Sequence, residues 1–388
     1  MKFLFFSPHA LVDSSNGAAK CVQTLLEELM ALGHQCLVVT GAIVDGKNDL
    51  FDQVVAAPIL QHFRILEADM SVPLRKVSFH GIDHLIVGAR ALRADEFLAY
   101  EEIILQNLFT DTFDNFQPDV LLTYGGYVSN FVAGQYAMMR GRKSVLFAAS
   151  DSYSQPGDFV HVNMVISVSQ ALTAKLARAT TLPIVNLKSL VRRADALCEN
   201  RTPAYITFIN PTLAKGLKLA AALAVECQRR GRPYQFLFVE SRGTRATALR
   251  DCPELAGCTN VTFAQNTANV LAIYEQTRVI LYPSVWYETA GRVLLEATAN
   301  DIPVLASNVG GIAEMLDGAG YLFDPPPEML EKWGTPPPSA YLEQWLAVLD
   351  RLHDDPSEMA DAVKRAEDAR GRYSVPALTR KFAEAVAS

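Results

Sequence analysis

The sequence has no run approaching the roughly 18 consecutive apolar residues of a membrane-spanning helix. Its apolar opening KFLFF gives way to polar residues too soon for a secretory leader. Its six cysteines, at 21, 36, 198, 227, 252 and 258, show no C-x-x-C spacing. A chain of 388 residues does not need disulfide staples, so these read as core residues or free thiols in a reducing compartment. Together these gaps predict a cytoplasmic protein. Excess positive charge is missing too: 35 Lys and Arg stand against 42 Asp and Glu, for a net charge of −7. Nucleic-acid binders need clustered cations facing phosphates, so that partner class is set aside. The short basic spots Arg75-Lys76 and Arg140-Gly-Arg142-Lys143 read as solvated turns. The other reading they leave is a contact with the acceptor or a weak peripheral contact with the inner face of a membrane. No G-x-G-x-x-G follows a strand; the first loop offers SSNGAAK, which argues against a nicotinamide dehydrogenase. His80, His84 and His161 have no carboxylates at ligand spacing, no Asp-x-Asp sits at a strand end, and no metal site is predicted. Nothing repeats with the period of a solenoid.

What is present is alternation. Half of the residues are apolar and a fifth are charged, a globular composition with room for two domains. Lys2–Ser7 is an almost wholly apolar run, as in a strand covered on both faces. Val22, Leu25, Leu26, Leu29 and Met30 then recur at helical spacing up to Gly33, and QCLVVT (35–40) follows. Strand, helix, strand with a crossover of this length predicts a parallel pair. Further strands are expected at 119–123, 144–148 and 164–167, a hairpin about Gly81-Ile82-Asp83, and a long helix over 96–116. The rhythm lapses in the charged stretch KSLVRRADALCENR and restarts with strands at 205–209, 235–239, 260–263, 279–282, 302–307 and 321–323. Helices at 339–353, 357–370 and 375–386 close the chain. The reading is therefore α/β, two Rossmann-like doubly wound parallel sheets. It comprises an N-terminal domain over 1–186, a linker over 187–203, a C-terminal domain over 204–370, and a last segment, 371–388, packing back on the first domain. Gly125-Gly126, after strand LLTY, stands where open α/β sheets form ligand crevices, or makes a plain tight turn.

The stretch YETAGRVLLEA (287–297) carries the chemistry. Thr289 is the expected helix cap, and the first-turn N–H groups of Ala290, Gly291 and Arg292 would point out of the helix end with partial positive charge. Gly291 has no side chain to keep an anion away, so this end makes a phosphate seat. Glu296, about two turns in, leans back toward the seat and suits a pair of sugar hydroxyls, while Glu288 borders its other side. A ligand with a sugar at each end and phosphates between them fits: a nucleotide-sugar. A solvated or ion-paired glutamate on an ordinary amphipathic helix is the plainer alternative.

ETAGRVLLEA followed by DIPVLASNVGGIAEML resembles the E-x7-E region of retaining GT-B glycosyltransferases, the large family that includes sucrose- and mannosyl-inositol-synthesising enzymes. TFINPTLAKG (207–216) resembles that family's strand-then-KG segment. The resemblance is strongest from about 205 to 325. It implies two Rossmann-like domains with a cleft between them, and metal-independent transfer with retention from a UDP- or GDP-sugar, with no cofactor. The acceptor, on the N-terminal domain, is left open among glycan, lipid, peptide and small molecule. It also implies that Glu296 holds the ribose, Glu288 meets the donor sugar, and Lys215 neutralises the diphosphate. Gly17 would approach that diphosphate from the first loop, and Gly310-Gly311 would line the donor side. Stabilising charge that grows as the nucleotide leaves is what accelerates such a step. Two departures stand out. Asn210 occupies the place of a second cation, and VLFAASDSYS has no histidine, so Asp151, or His9 at the end of the first strand, is the candidate to replace it.

Overall fold

Every position of strand β1 (Lys2–His9) after Lys2 is buried, which is why its sequence is a continuous apolar run rather than an alternating one. The computed structural model describes all residues except 14, 46–50, 53, 55, 66–69, 90 and 268, with backbone alone at 64, 65 and 70. These residues fall into two units, one formed by Met1–Leu190 with Ser374–Ser388, the other by Val191–Tyr373.

In the first unit β1 lies inside a sheet with β2 (Gln35–Ile43), β3 (Ile59–Ile65), β4 (Met70–Phe79), β5 (Ile82–Val87), β6 (Val120–Thr123), β7 (Lys143–Ala148), β8 (Met164–Ser167) and β9 (Ile184–Asn186). The order is β3-β4-β5-β2-β1-β6-β7-β8-β9. All neighbours are parallel except β4, which runs antiparallel to both β3 and β5. The hairpin about Gly81 is therefore present, while β3 and β9 are additions to the sequence reading. β3 (ILQHFRI) mixes polar with apolar residues, as an edge strand does, and β9 has only three residues, too few to show a period. The last helix, Val375–Ala387, packs on the helix Gly17–Ala31, and Phe382 meets Phe3 at 6.1 Å between ring centroids.

The second unit carries β10 (Tyr205–Ile209), β11 (Gln235–Val239), β12 (Val261–Ala264), β13 (Thr277–Tyr282), β14 (Val304–Ser307) and β15 (Gly320–Phe323) in the order β12-β11-β10-β13-β14-β15, all parallel. Its interior is built on Phe208, Phe236, Phe238, Trp345 and the apolar face of the helix Leu217–Arg229. The α/β class with two Rossmann-like sheets, the GT-B fold, is what the sequence predicts. Order changes at β10, whose chain neighbour β11 lies on one side and β13 on the other. That is the switch point at which open sheets of this kind present ligand-binding loops.

The end of β1 has a charged brace. Asp13, almost fully buried, takes hydrogen bonds on Oδ2 from His9 Nε2 at 2.9 Å and Asp45 N at 2.7 Å. Its Oδ1 accepts from Ser15 N at 2.9 Å and Ser15 Oγ at 2.6 Å. Burial by itself would raise the Asp13 pKa. The bonds from His9, Ser15 and the Asp45 backbone outweigh it and hold the group down at about 2. A carboxyl with a folded pKa below its unfolded value of about 3.9 stabilises the fold above pH ~4 and loses that contribution as pH falls toward 2. Asp13→Asn should therefore cost roughly 2 kcal/mol near pH 7. Melting curves of the two proteins should converge between about pH 4 and pH 2; a gap that stays constant over that range refutes the assignment.

Candidate functional site

The end of β13 and the loop after it build the site in the second unit. Pro283–Gly291 runs from the strand into the helix Arg292–Ala299. It is pinned against the loop after β10, because Val285 N and Trp286 N both donate to Ala214 O at 3.0 Å. The approach of these two loops requires a glycine. Gly216 has φ +86°, and a Cβ there would stand 1.9 Å from Pro283 O.

Lys215, which ends the short turn Leu213–Lys215, is brought by this contact onto Glu288. Its Nζ lies 2.5 Å from Glu288 Oε1, and Ser284 Oγ donates to the same oxygen at 2.7 Å. The Glu288 side chain is 6 % exposed and that of Lys215 28 %, so the acid is buried and the lysine only partly so. A buried carboxylate needs such partners, since an unpaired one is strongly disfavoured in an apolar interior. Glu296 is buried as well. Tyr274 donates from its hydroxyl to Glu296 Oε2 at 2.7 Å, and Arg292 Nη2 lies 3.5 Å from Oε1. Burial, then the neighbouring Glu296 charge and hydrogen bond, push the Tyr274 phenol well above its usual pKa, and Tyr282 is raised in the same way with Glu288 as its neighbour. Both therefore stay protonated at neutral pH and act as donors.

Three expectations change here. The helix begins at Arg292, not after Thr289, and its cap is Gly291, at φ −135° and ψ 99°, with no side-chain capping bond. The reason is a crossing: Gly311 N donates to Glu288 O at 2.7 Å, and the chain bends at Thr289 instead of starting a helix there. Thr289 is thus not the cap, and the N–H groups of Ala290 and Gly291 precede the helix; of the three proposed, only Arg292 belongs to its first turn. Glu296 consequently sits about one turn in, roughly 6 Å along the axis, rather than two turns. Gly310 and Gly311 do meet the site, at the backbone of Glu288.

Asn210, at φ 65°, turns the chain after β10, and its Oδ1 accepts from Gly243 N at 2.9 Å. That bond braces the loop after β10 against Gly243. The remaining expected residues lie in the first unit. Gly17 opens a helix capped by Asn16, whose Oδ1 accepts from Ala18 N at 2.8 Å and Ala19 N at 3.0 Å. Asp151 is ion-paired with Lys175 at 2.5 Å. His9 stands at the C-terminal edge of the sheet on Asp13, in the brace described above. Ligand atoms of His9, Asp13 and Asp45 fall within 4.8 Å of one another, which is metal-binding spacing. Both Asp13 oxygens also accept hydrogen bonds from the protein. Of the other histidines, His84 and His161 are buried, and burial pushes them down to about 3 and about 4, so both are neutral at physiological pH.

Sequence reasoning missed Ser284, Tyr274 and Tyr282. One signal was available: the two tyrosines are eight residues apart, as are the two glutamates.

Residues 199–332 match the family model described as glycosyl transferases group 1. No curated protein matches the chain by sequence. Among solved structures, a glycosyltransferase from Rickettsia africae is 15 % identical, with 99 % of this chain and 97 % of that one covered and a TM-score of 0.68. HepE from Anabaena, solved with UDP and glucose, is 13 % identical with 99 % of each chain covered and a TM-score of 0.68. The pneumococcal O-GlcNAc transferase GtfA, solved with UDP and GlcNAc, is 12 % identical, with 99 % of this chain and 98 % of that one covered and a TM-score of 0.67.

Proposed function

We propose that this protein is a glycosyltransferase that moves a sugar from a nucleoside-diphosphate donor to an acceptor bound by the first unit. The observation that carries the reading is the Lys215–Glu288–Ser284 cluster, with Glu296 eight residues further along, inside the segment that matches the group 1 family model. Lys215 takes the diphosphate, and its charge counts most as the sugar–phosphate bond breaks. Glu288 meets the donor sugar and Glu296 the ribose. Retention of configuration is part of the proposal and rests on the resemblance of the E-x7-E stretch. Metal-independent departure rests on the ammonium beside the site. HepE and GtfA, which share the fold, were solved with UDP, so uridine donors are the first to try.

The test is thermal protection across UDP-, GDP- and dTDP-sugars, followed by mass spectrometry of products with the best donor. A ligand at a hundred times its Kd should stabilise the native state by about 2.7 kcal/mol. If no donor raises the melting temperature, the proposal fails.

One observation favours a second reading, a nucleotide-sugar-binding protein without catalysis: Asn210 is spent on Gly243 and Asp151 on Lys175. Donor hydrolysis or transfer that disappears in Glu288→Ala dismisses it.

A further inference from the structure

The geometry points to Tyr274 as the positioning residue that aims Glu296 at the ribose and so sets the preference for ribonucleotides over deoxyribonucleotides. This rests on the reading of Glu296 as the ribose-binding acid. Tyr274 is wholly buried among Ile280, Leu294 and Leu295, where a phenylalanine ring would pack equally well. A hydroxyl placed in such surroundings is unfavourable unless it is hydrogen-bonded. Its partner is Glu296 Oε2, at 2.7 Å.

A glutamate on a helix has three rotatable side-chain bonds, and a carboxylate swinging among rotamers recognises a vicinal diol poorly. Tyr274 fixes one oxygen from the protein side. Arg292, 3.5 Å from Oε1 on the preceding turn, limits the swing of the other. Oε1 is then the oxygen presented to the ligand, with its direction set before binding. Ligand groups met by a pre-organised acceptor bind more tightly, because less ordering remains to be done. The phenol stays a donor at neutral pH, so the constraint does not titrate away.

The experiment measures Kd values of the full-length protein for UDP, GDP and their 2′-deoxy counterparts, in wild type and in Tyr274→Phe. Wild type is expected to bind the ribo form of its nucleotide at least tenfold more tightly than the deoxy form, the scale of one hydrogen bond to a charged group. In Tyr274→Phe the ribonucleotide should lose about tenfold in affinity, which is about 1.4 kcal/mol. The deoxynucleotide should lose much less, so that the ratio collapses toward one. A purely structural role for the tyrosine would weaken both ligands alike and leave the ratio intact, and that result overturns the inference. If wild type discriminates and the variant discriminates equally, the positioning claim falls while the donor-site reading stands. If neither ribonucleotide binds wild type, the donor-site reading itself falls, and this claim with it. Tyr274→Met, a flexible filler of the same apolar space, serves in place of Tyr274→Phe if that variant does not fold.

Discussion

Lys215→Ala is expected to lower turnover about a hundred- to a thousandfold, the usual loss when one preorganised donor to a developing anion is removed. The same substitution should lower stability, and the two effects have different origins. Glu288 is almost fully buried and accepts hydrogen bonds from Lys215 and Ser284. Without the ammonium the carboxylate is left with neutral donors alone, the Ser284 and Tyr282 hydroxyls. Breaking a fully buried ion pair costs about 3–5 kcal/mol. The Lys215 side chain is 28 % exposed, so water can partly replace it and roughly 2 kcal/mol is the reasonable scale. For a domain of this size that corresponds to a fall of roughly 4–8 °C in melting temperature. Adding Glu288→Gln separates the two effects. The double variant no longer buries an unpaired charge, so most of the melting temperature should return while turnover stays at the floor. If Lys215→Ala keeps turnover within threefold of wild type, the lysine does not face the departing diphosphate and the proposed mechanism is wrong.

The sequence makes the second sheet legible almost strand by strand, since short runs such as YITFI and QFLFV are buried on both faces and bounded by polar loops. It also singles out Glu288 and Glu296, both of which the structure buries and supplies with hydrogen-bond partners. It misplaces the helix start by two residues, because local chemistry alone favours Thr289 as the cap. Thr289 is a good cap in isolation, yet the start is decided by a long-range contact, the crossing of Gly311 over Glu288. The edge strand β3 is missed for a related reason: a strand half exposed to solvent carries a weaker apolar signal than one covered on both sides. Tyr274, Tyr282 and Ser284 escape notice because a buried hydroxyl looks like any core or loop residue until the acid it serves is located in space. Lys215 is the opposite case. Its position after a strand and before Gly216 singles it out, and the structure brings it onto Glu288, 73 residues away in the chain.

Gly310→Ala is expected to be strongly destabilising, and its effect can be separated from ordinary backbone strain. Gly310 has φ +61°, where alanine is strained by about 1–2 kcal/mol. Gly231, after the helix Leu217–Arg229, has φ +65° and nothing within 4 Å of an added Cβ. Gly231→Ala therefore measures the strain alone. At Gly310 the same Cβ would lie 2.1 Å from Glu288 O and 3.0 Å from Glu288 C and N, all backbone atoms that cannot rotate away. The two chains must separate, and the bond from Gly311 N to Glu288 O at 2.7 Å goes with them. Overpacking of this kind adds about 1–3 kcal/mol to the strain, so the total approaches roughly 3–4 kcal/mol, or a fall in melting temperature of roughly 8–12 °C. Because the displaced backbone belongs to Glu288, donor protection should vanish as well, including at temperatures where the variant is still folded. Gly231→Ala should keep full protection with a shift of only a few degrees. Equal shifts in the two variants would mean that Gly310 only relieves a backbone angle. The tight crossing over Glu288 would then have no part in holding that acid in place.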